Sequence, residues 1–251
     1  EARARANGTA SASIARDLWM YDSEHRTASR FTTTAVLNFY AVWSPDGTKV
    51  AFTSNRAGRM DLYQKPATGA VAEQLIYATK DSPKFGFDWT RDGKYLLYVD
   101  IVQNGKNRYD IFAIFALPAG GGKPLPIMQA EFNQIKPQLS PDNRWLAYVS
   151  DESGRNEVYI QPFSLEGKPA AQRWQISANG GTDPRWRRDG REFFFLAADQ
   201  KLMSVTVRPA TEKANGTGIA ATEFSFASPQ PLFTLPPMSS TPGVFGSRYA
   251  V

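Results

Sequence analysis

The chain contains no cysteine and only one histidine, His25, in 251 residues. Without thiols there is no disulfide, no thiolate nucleophile and no cysteine-ligated zinc. A Ser-His-Asp relay would have to use His25. That residue sits in YDSEHRTASR, a segment that reads as an exposed turn between strands, and no G-x-S-x-G nucleophile elbow accompanies it. No run approaches the roughly 18 apolar residues that span a bilayer, so a membrane would be reached only through a segment outside this chain. The net charge of +5 is spread over 29 basic and 24 acidic residues. The one dense basic run, RWRRDGR at Arg185–Arg191, lies inside a repeat, and no nucleic-acid partner is expected from it.

Other motifs fail on context. GGGK at Gly120–Lys123 lacks the upstream glycine and the following hydroxyl of a phosphate loop and reads as a hairpin turn. GTGIAA at Gly216–Ala221 has no strand before it and no helix after it, so it is not a dinucleotide fingerprint. Asn7 and Asn215 each open an Asn-Gly-Thr acceptor pattern of a kind common by chance. No kinase glycine loop with V-A-I-K, no H-R-D and no D-F-G occurs. No catalytic residue, metal or cofactor is expected. The missing initiator Met and the pattern breaking off at Val251 read as an excerpt of a longer polypeptide.

What the chain does have is internal repetition. WSPDG at Trp43–Gly47 recurs as WTRDG at Trp89–Gly93, LSPDN at Leu139–Asn143 and WRRDG at Trp186–Gly190. The anchoring residues Asp46, Asp92, Asp142 and Asp189 follow at intervals of 46, 50 and 47. A period just under 50 with short strands inside it is that of propeller blades. In each copy Gly47, Gly93, Asn143 or Gly190 supplies a residue that tolerates the positive φ of a tight connection. A strongly apolar second strand follows: VAFTS, YLLYVD, WLAYVS and EFFFLA. A third strand then opens with DLY, DIF, EVY or KLM, and a weaker fourth closes the unit. No helix longer than about one turn is expected, and the class is all-β.

DLWMYD at Asp17–Asp22 and SRFT at Ser29–Thr32 match third and fourth strands, whereas SRYAV at Ser247–Val251 matches a first strand. The expectation is a β-propeller of four-stranded blades over residues 16–251. About five blades lie in this chain, one of them a composite of 16–33 with 244–251, and a parent of six is left open. Residues 1–15 read as a frayed leading segment. Residues 209–229, rich in Ala, Thr, Gly and Pro, read as a long peripheral loop.

The repeats resemble TolB-type, WD-repeat-like bacterial propellers, whose units carry the W-S-P-D-G turn and the apolar strand after it. FNQIKPQLSPDNRWLAYVSDESGRNEVYIQPF at Phe132–Phe163 and GGTDPRWRRDGREFFFLAADQKLMSVTV at Gly180–Val207 are similar to the C-terminal propeller of bacterial receptor-type serine/threonine kinases. That resemblance implies a periplasmic or extracellular sensor or interaction domain, beyond a kinase and a membrane helix that are not in this chain. The alternatives are a periplasmic TolB-like scaffold and the gating propeller of a prolyl-oligopeptidase-type peptidase, whose triad would lie on another domain.

Loops on a rigid scaffold are where contacts concentrate. In a propeller the second-to-third and fourth-to-first connections gather at one end. Here these are residues 55–60, 79–85, 103–108, 130–136, 151–156 and 178–183, and they carry Arg56, Arg59, Lys84, Lys106, Glu131, Arg155 and Asp183. The expected partner is a protein, a peptide or a small polar ligand. The turn aspartates belong to different blades, too far apart for paired acid/base work. They are expected to accept hydrogen bonds within their own turns, and Trp43, Trp89 and Trp186 to pack between blades.

Overall fold

A computed structural model describes residues 15–34, 36–80, 82–102, 108–115, 122–128, 132–166, 172–208, 212–214, 220–222 and 224–236. Lys106, Glu131, Asn7, Asn215, Gly120, Gly121 and the stretch 244–251 offered for the composite blade lie outside them.

Four antiparallel sheets follow one another along the chain, each in simple up-and-down order. Blade 1 holds β3 (Asn38–Trp43), β4 (Lys49–Ser54), β5 (Asp61–Pro66) and β6 (Gln74–Tyr77). It is preceded by a hairpin of β1 (Trp19–Asp22) and β2 (Thr27–Arg30). Blade 2 holds β7 (Lys84–Trp89), β8 (Tyr95–Val102), β9 (Arg108–Phe115) and β10 (Leu125–Met128). Blade 3 holds β11 (Gln134–Leu139), β12 (Trp145–Ser150), β13 (Glu157–Pro162) and β14 (Trp174–Gln175). Blade 4 holds β15 (Gly181–Trp186), β16 (Glu192–Ala197) and β17 (Lys201–Arg208), and closes on β21 (Gln230–Thr234). Among the described residues there is no helix.

Residues 209–229 are more than a loop, which corrects the reading from composition. β18 (Glu212–Ala214) and β19 (Ala220–Thr222) form a hairpin, and β20 (Ser225–Phe226) pairs with the end of β17. The excursion is anchored by Phe224, which is buried with ring centroids 4.7 Å from Trp145 and 4.9 Å from Trp174 of blade 3. Its apolar payload gives the segment a reason to order that small and polar neighbours conceal.

The second strands are apolar on both sides because both sides meet another blade. In β12 all six residues are buried. At the first seam Ala51, Leu62 and Ile76 of blade 1 pack on Trp89, Leu96 and Tyr98 of blade 2. The opposite side of blade 1, through Val50, Phe52 and Tyr63, meets Phe31, which follows the leading hairpin. Blades 2, 3 and 4 share one continuous cluster.

Trp43 breaks this pattern and corrects one expectation. It is 51% exposed, whereas Trp89, Leu139 and Trp186, at the same place in later blades, are 2%, 1% and 8% exposed. The reason is geometric. Trp89 is covered by the second strand of the blade before it, through Ala51. The hairpin ahead of Trp43 has only third and fourth strands, so among the described residues no second strand shields it.

Each strand-1-to-strand-2 turn is held by its aspartate. Ser44, Thr90 and Ser140 donate their hydroxyls to Asp46, Asp92 and Asp142 at 2.6, 2.6 and 2.5 Å. Backbone N–H groups of Thr48, Lys94, Arg144 and Arg191 donate to the four aspartates at 2.9–3.1 Å. In the fourth copy Arg187 replaces the hydroxyl residue and donates through its guanidinium to Asp189. Gly47, Gly93, Asn143 and Gly190 have φ of 69°, 68°, 59° and 71°, a region where residues other than Gly, Asn and Asp pay a steric cost.

Candidate binding face

Up-and-down strand order puts the second-to-third and fourth-to-first connections at the end of the propeller opposite these turns. Two of the loops at that end are twins. Residues 55–60 and 151–156 each turn on a glycine, Gly58 at φ 89° and Gly154 at φ 88°. The glycine N–H donates three residues back, to Asn55 O at 2.8 Å and to Asp151 O at 2.9 Å. Each loop is also latched to the connection leading into its blade. Leu37 N–H donates to Asn55 Oδ1 at 2.8 Å, and Asn133 N–H donates to Asp151 Oδ1 at 2.8 Å. The latches fix where the loop tips stand, and each tip presents one exposed arginine after its glycine, Arg59 and Arg155.

Beneath each arginine, two residues on, a carboxylate opens the third strand and is buried: Asp61 and Glu157. Glu157 is fully engaged. It accepts from Ser177 Oγ and from Gly180 N–H at 2.8 Å, and Arg155 Nε stands 3.7 Å away. Asp61 differs, because its Oδ1 is buried without a hydrogen-bond partner. Burial pushes the Asp61 carboxyl above the usual range, against the pull of the Lys84 and Arg59 charges.

Arg56 is placed differently from Arg59. It is largely covered, ion-paired to Glu73 at 3.0 Å, and its guanidinium lies 4.5 Å from the Tyr63 ring centroid. It therefore serves packing more than display. Lys84 and Asp183 correct the loop assignment outright, since both are buried strand residues. Lys84 Nζ donates to Thr79 Oγ1 and Ser82 Oγ, each at 2.7 Å, and to Asp100 at 3.2 Å. Asp183 accepts from Lys136 Nζ at 2.6 Å across the seam between blades 3 and 4. The adjacent loops are shorter than the polar stretch suggests, and a charged side chain inside a seam must find a counter-charge.

Lys136 was not a sequence candidate, and neither was Tyr40. Both share a backbone feature with Asp183. In β3, β11 and β15 the third residue has positive φ: Tyr40 at 53°, Lys136 at 54° and Asp183 at 53°. Each sits where the pairing register with the next strand shifts. A bulge of this kind re-aims a side chain, and a non-glycine residue there costs of the order of 1–3 kcal/mol. Repeated at one level of three inner strands, it brings Lys136 and Asp183 together. It also sets Tyr40 against Phe85 and Phe87, with centroids 5.5 and 5.6 Å apart.

His25 is exposed in the β1–β2 turn, with Nδ1 2.7 Å from Asp22 Oδ2. The basic run at Arg185–Arg191 is partly neutralised from within, because Arg187 pairs with Asp189 and with Glu192 at 2.6 Å.

No protein-family model matches the chain. A protein of Thioalkalivibrio sulfidiphilus described as the Tol-Pal system protein TolB is 29% identical over 137 residues, which cover 52% of this chain and 29% of that relative. The crystal structure of TolB from Acinetobacter baumannii superposes with a TM-score of 0.58 at 16% identity, over 77% of this chain and 47% of that one. The β-propeller domain of Cps50 (Swd1) from Myceliophteria thermophila gives 0.54 at 12% identity, over 85% of this chain and 65% of that one. The chain spans half or less of the length of the curated relatives it matches. Four tandem four-stranded blades and these likenesses together make the fold a TolB-like β-propeller.

Proposed function

We propose that this chain is a non-catalytic interaction module of an extracytoplasmic protein, which holds a protein or peptide partner on its loop end. The observation that carries the reading is the pair of latched loops. Two blades apart, the same turn presents Arg59 and Arg155 on backbone that is already fixed, so little ordering entropy is lost when a partner docks. A relative named for a multiprotein system, and a resemblance to TolB-type scaffolds, support a protein as the partner and the periplasm as the setting.

The test is site-specific photocrosslinking. A photoreactive residue at Ala57 or Ser153, exposed at the two loop tips, should capture a discrete partner in cells. Arg59→Glu with Arg155→Glu should abolish that capture while leaving the fold intact. Undiminished capture by the double variant would defeat the assignment of this face.

The strings at 132–163 and 180–207 favour a second, finer reading, in which the propeller is the sensor end of a receptor-type kinase. Flanking coding sequence with a kinase domain and an apolar helix would support it, whereas a signal peptide alone would favour the scaffold. On either reading the chain itself transfers no phosphate, and phosphorylation by purified material with magnesium and ATP would refute that.

A further inference from the structure

A cavity of about 420 Å³ lies between blades 3 and 4. Its wall includes Ile176, Phe195, Ala197, Met203, Pro229 and Pro231. The repeats explain why it exists. On the second and third strands four cross-strand pairs are equivalent by register: Phe52 with Tyr63, Tyr98 with Phe112, Tyr148 with Tyr159, and Phe195 with Met203. In blades 1 and 3 the two rings stack, with centroids 6.2 and 5.8 Å apart. An ion pair stands beside each stack: Arg56 with Glu73 at 3.0 Å, and Arg173 with Glu152 at 3.1 Å.

Among the described residues blade 4 has neither the second ring nor the cover. Met203 stands in the tyrosine's place, and the connection between β16 and β17 shrinks to residues 198–200, against six residues in each twin loop. Asp199 and Lys201 pair with each other, at 2.8 Å and well exposed. Space that an aromatic ring and its lid occupy elsewhere is therefore open. The polar atoms around it offer a charged ligand little. Ser177 Oγ is already committed to Glu157, and the rim pair is mutually neutralised.

We propose that this cavity receives a large apolar side chain, an aromatic ring by preference, from an extended peptide segment of the partner. The inference rests on the protein-binding reading above. The cavity's rim is made by the fourth-to-first connection at 178–180 and the second-to-third hairpin at 198–200, so it opens at the same end as Arg59 and Arg155. A peptide bound there would be anchored by one buried ring and oriented by the arginines, the usual division between an apolar anchor and a charged rim. The occupant replaces what the repeat itself places in two other blades, a tyrosine ring packed on the second strand.

The probe is N-acetyl-L-phenylalaninamide, with N-acetylglycinamide as control, against protein labelled with ¹³C at the methionine methyls. The Met203 methyl resonance should shift saturably, with a dissociation constant of the order of 1 mM for so small a ligand, while those of Met20, Met60 and Met128 stay put. The glycinamide should move none. Met203→Tyr restores the residue of blades 1 and 3, and should remove saturation transfer to the probe's ring with the melting temperature unchanged or raised. Ala197→Leu provides a second filling variant should the tyrosine disturb the fold. No shift at Met203, an equal response to the glycinamide, or undiminished saturation transfer in a folded filling variant would overturn the proposal. Loss of partner capture in Arg59→Glu/Arg155→Glu together with a silent cavity would sink this inference alone. A responsive cavity with unaltered capture would instead sink the assignment of the arginine face.

Discussion

Replacing Asp183 by Asn tests whether the seam between blades 3 and 4 depends on charge as well as shape. Asn keeps the volume of Asp and tolerates φ 53°, so the backbone at the bulge is undisturbed. What changes is that the Lys136 ammonium, 2.6 Å from the carboxylate and largely buried, loses its counter-charge while still near Thr182 Oγ1 at 3.2 Å. Breaking one side of a buried pair costs about 3–5 kcal/mol, because the remaining charge cannot recover its hydration. For a domain of this size about 1 kcal/mol moves the melting temperature by roughly 2–4 °C, so a fall of roughly 6–20 °C is expected. Urea denaturation should show a lower midpoint with an unchanged slope, the mark of altered stability at constant exposed area. Lys136→Met with Asp183→Asn removes both charges and keeps the lysine's unbranched stem. It should recover at least half of the single variant's loss, with a coupling energy above about 1 kcal/mol. A single variant within about 1 kcal/mol of wild type, or a double variant as unstable as the sum of the singles, would refute the claim that the pair acts as a unit.

Asp88 accepts from Trp89 N–H and, across the seam, from Leu139 N–H, both at 2.8 Å. Asp88→Ala would orphan two buried donors at about 1–3 kcal/mol each, measurable by chemical denaturation, and a near-neutral result would mean that water replaces the carboxylate. Trp89→Ala should cost about 3–5 kcal/mol, and Trp43→Ala far less, since half of Trp43 is already in solvent; equal losses would show that Trp43 is covered. The Ser44 and Thr48 hydroxyls and the Thr48 N–H hold the Asp46 carboxyl at about 2, below its ordinary 3.8. A depressed folded-state value stabilises fully above the unfolded value and is lost as pH falls through about 2. Carboxyl ¹³C shifts should show Asp46 titrating at about 2, and a midpoint near 3.8 would rule out the turn bonds.

Much of the architecture was legible because it rests on local chemistry repeated four times. A hydroxyl or arginine two residues before Asp, and Gly or Asn after it, mark a turn wherever they occur. The burial of Lys84 and Asp183 was not legible in the same way. Lys84 finds Asp100 sixteen residues on, and Asp183 finds Lys136 forty-seven residues back, and neither distance leaves a local trace. The bulges at Tyr40, Lys136 and Asp183 were hidden because none of the three is glycine, the usual sign of positive φ. The cavity did leave a signal. KLM at Lys201–Met203 breaks the acid-aliphatic-aromatic opening of DLY and EVY, and the loop before it is short. The departure from the repeat was the informative part, and reading for the repeat passed over it.

The two ends of the propeller satisfy their polar groups differently. At the turn end the aspartates are closed within their own turns, and the unpaired buried groups there include the indole N–H groups of Trp89 and Trp186, at the ends of inner strands. Beneath the loop end the unpaired buried atoms include the acceptors Asp61 Oδ1 and Gln134 Oε1, each at the start of a strand, and the Thr34 hydroxyl. Buried acceptors are costly to leave alone, so each of these strand starts carries a local energetic cost. Arg59 and Arg155 add positive charge at the surface of that same end. On the proposed reading, a partner segment that carries acidic groups would complement these arginines. A wholly basic segment would instead meet repulsion from them.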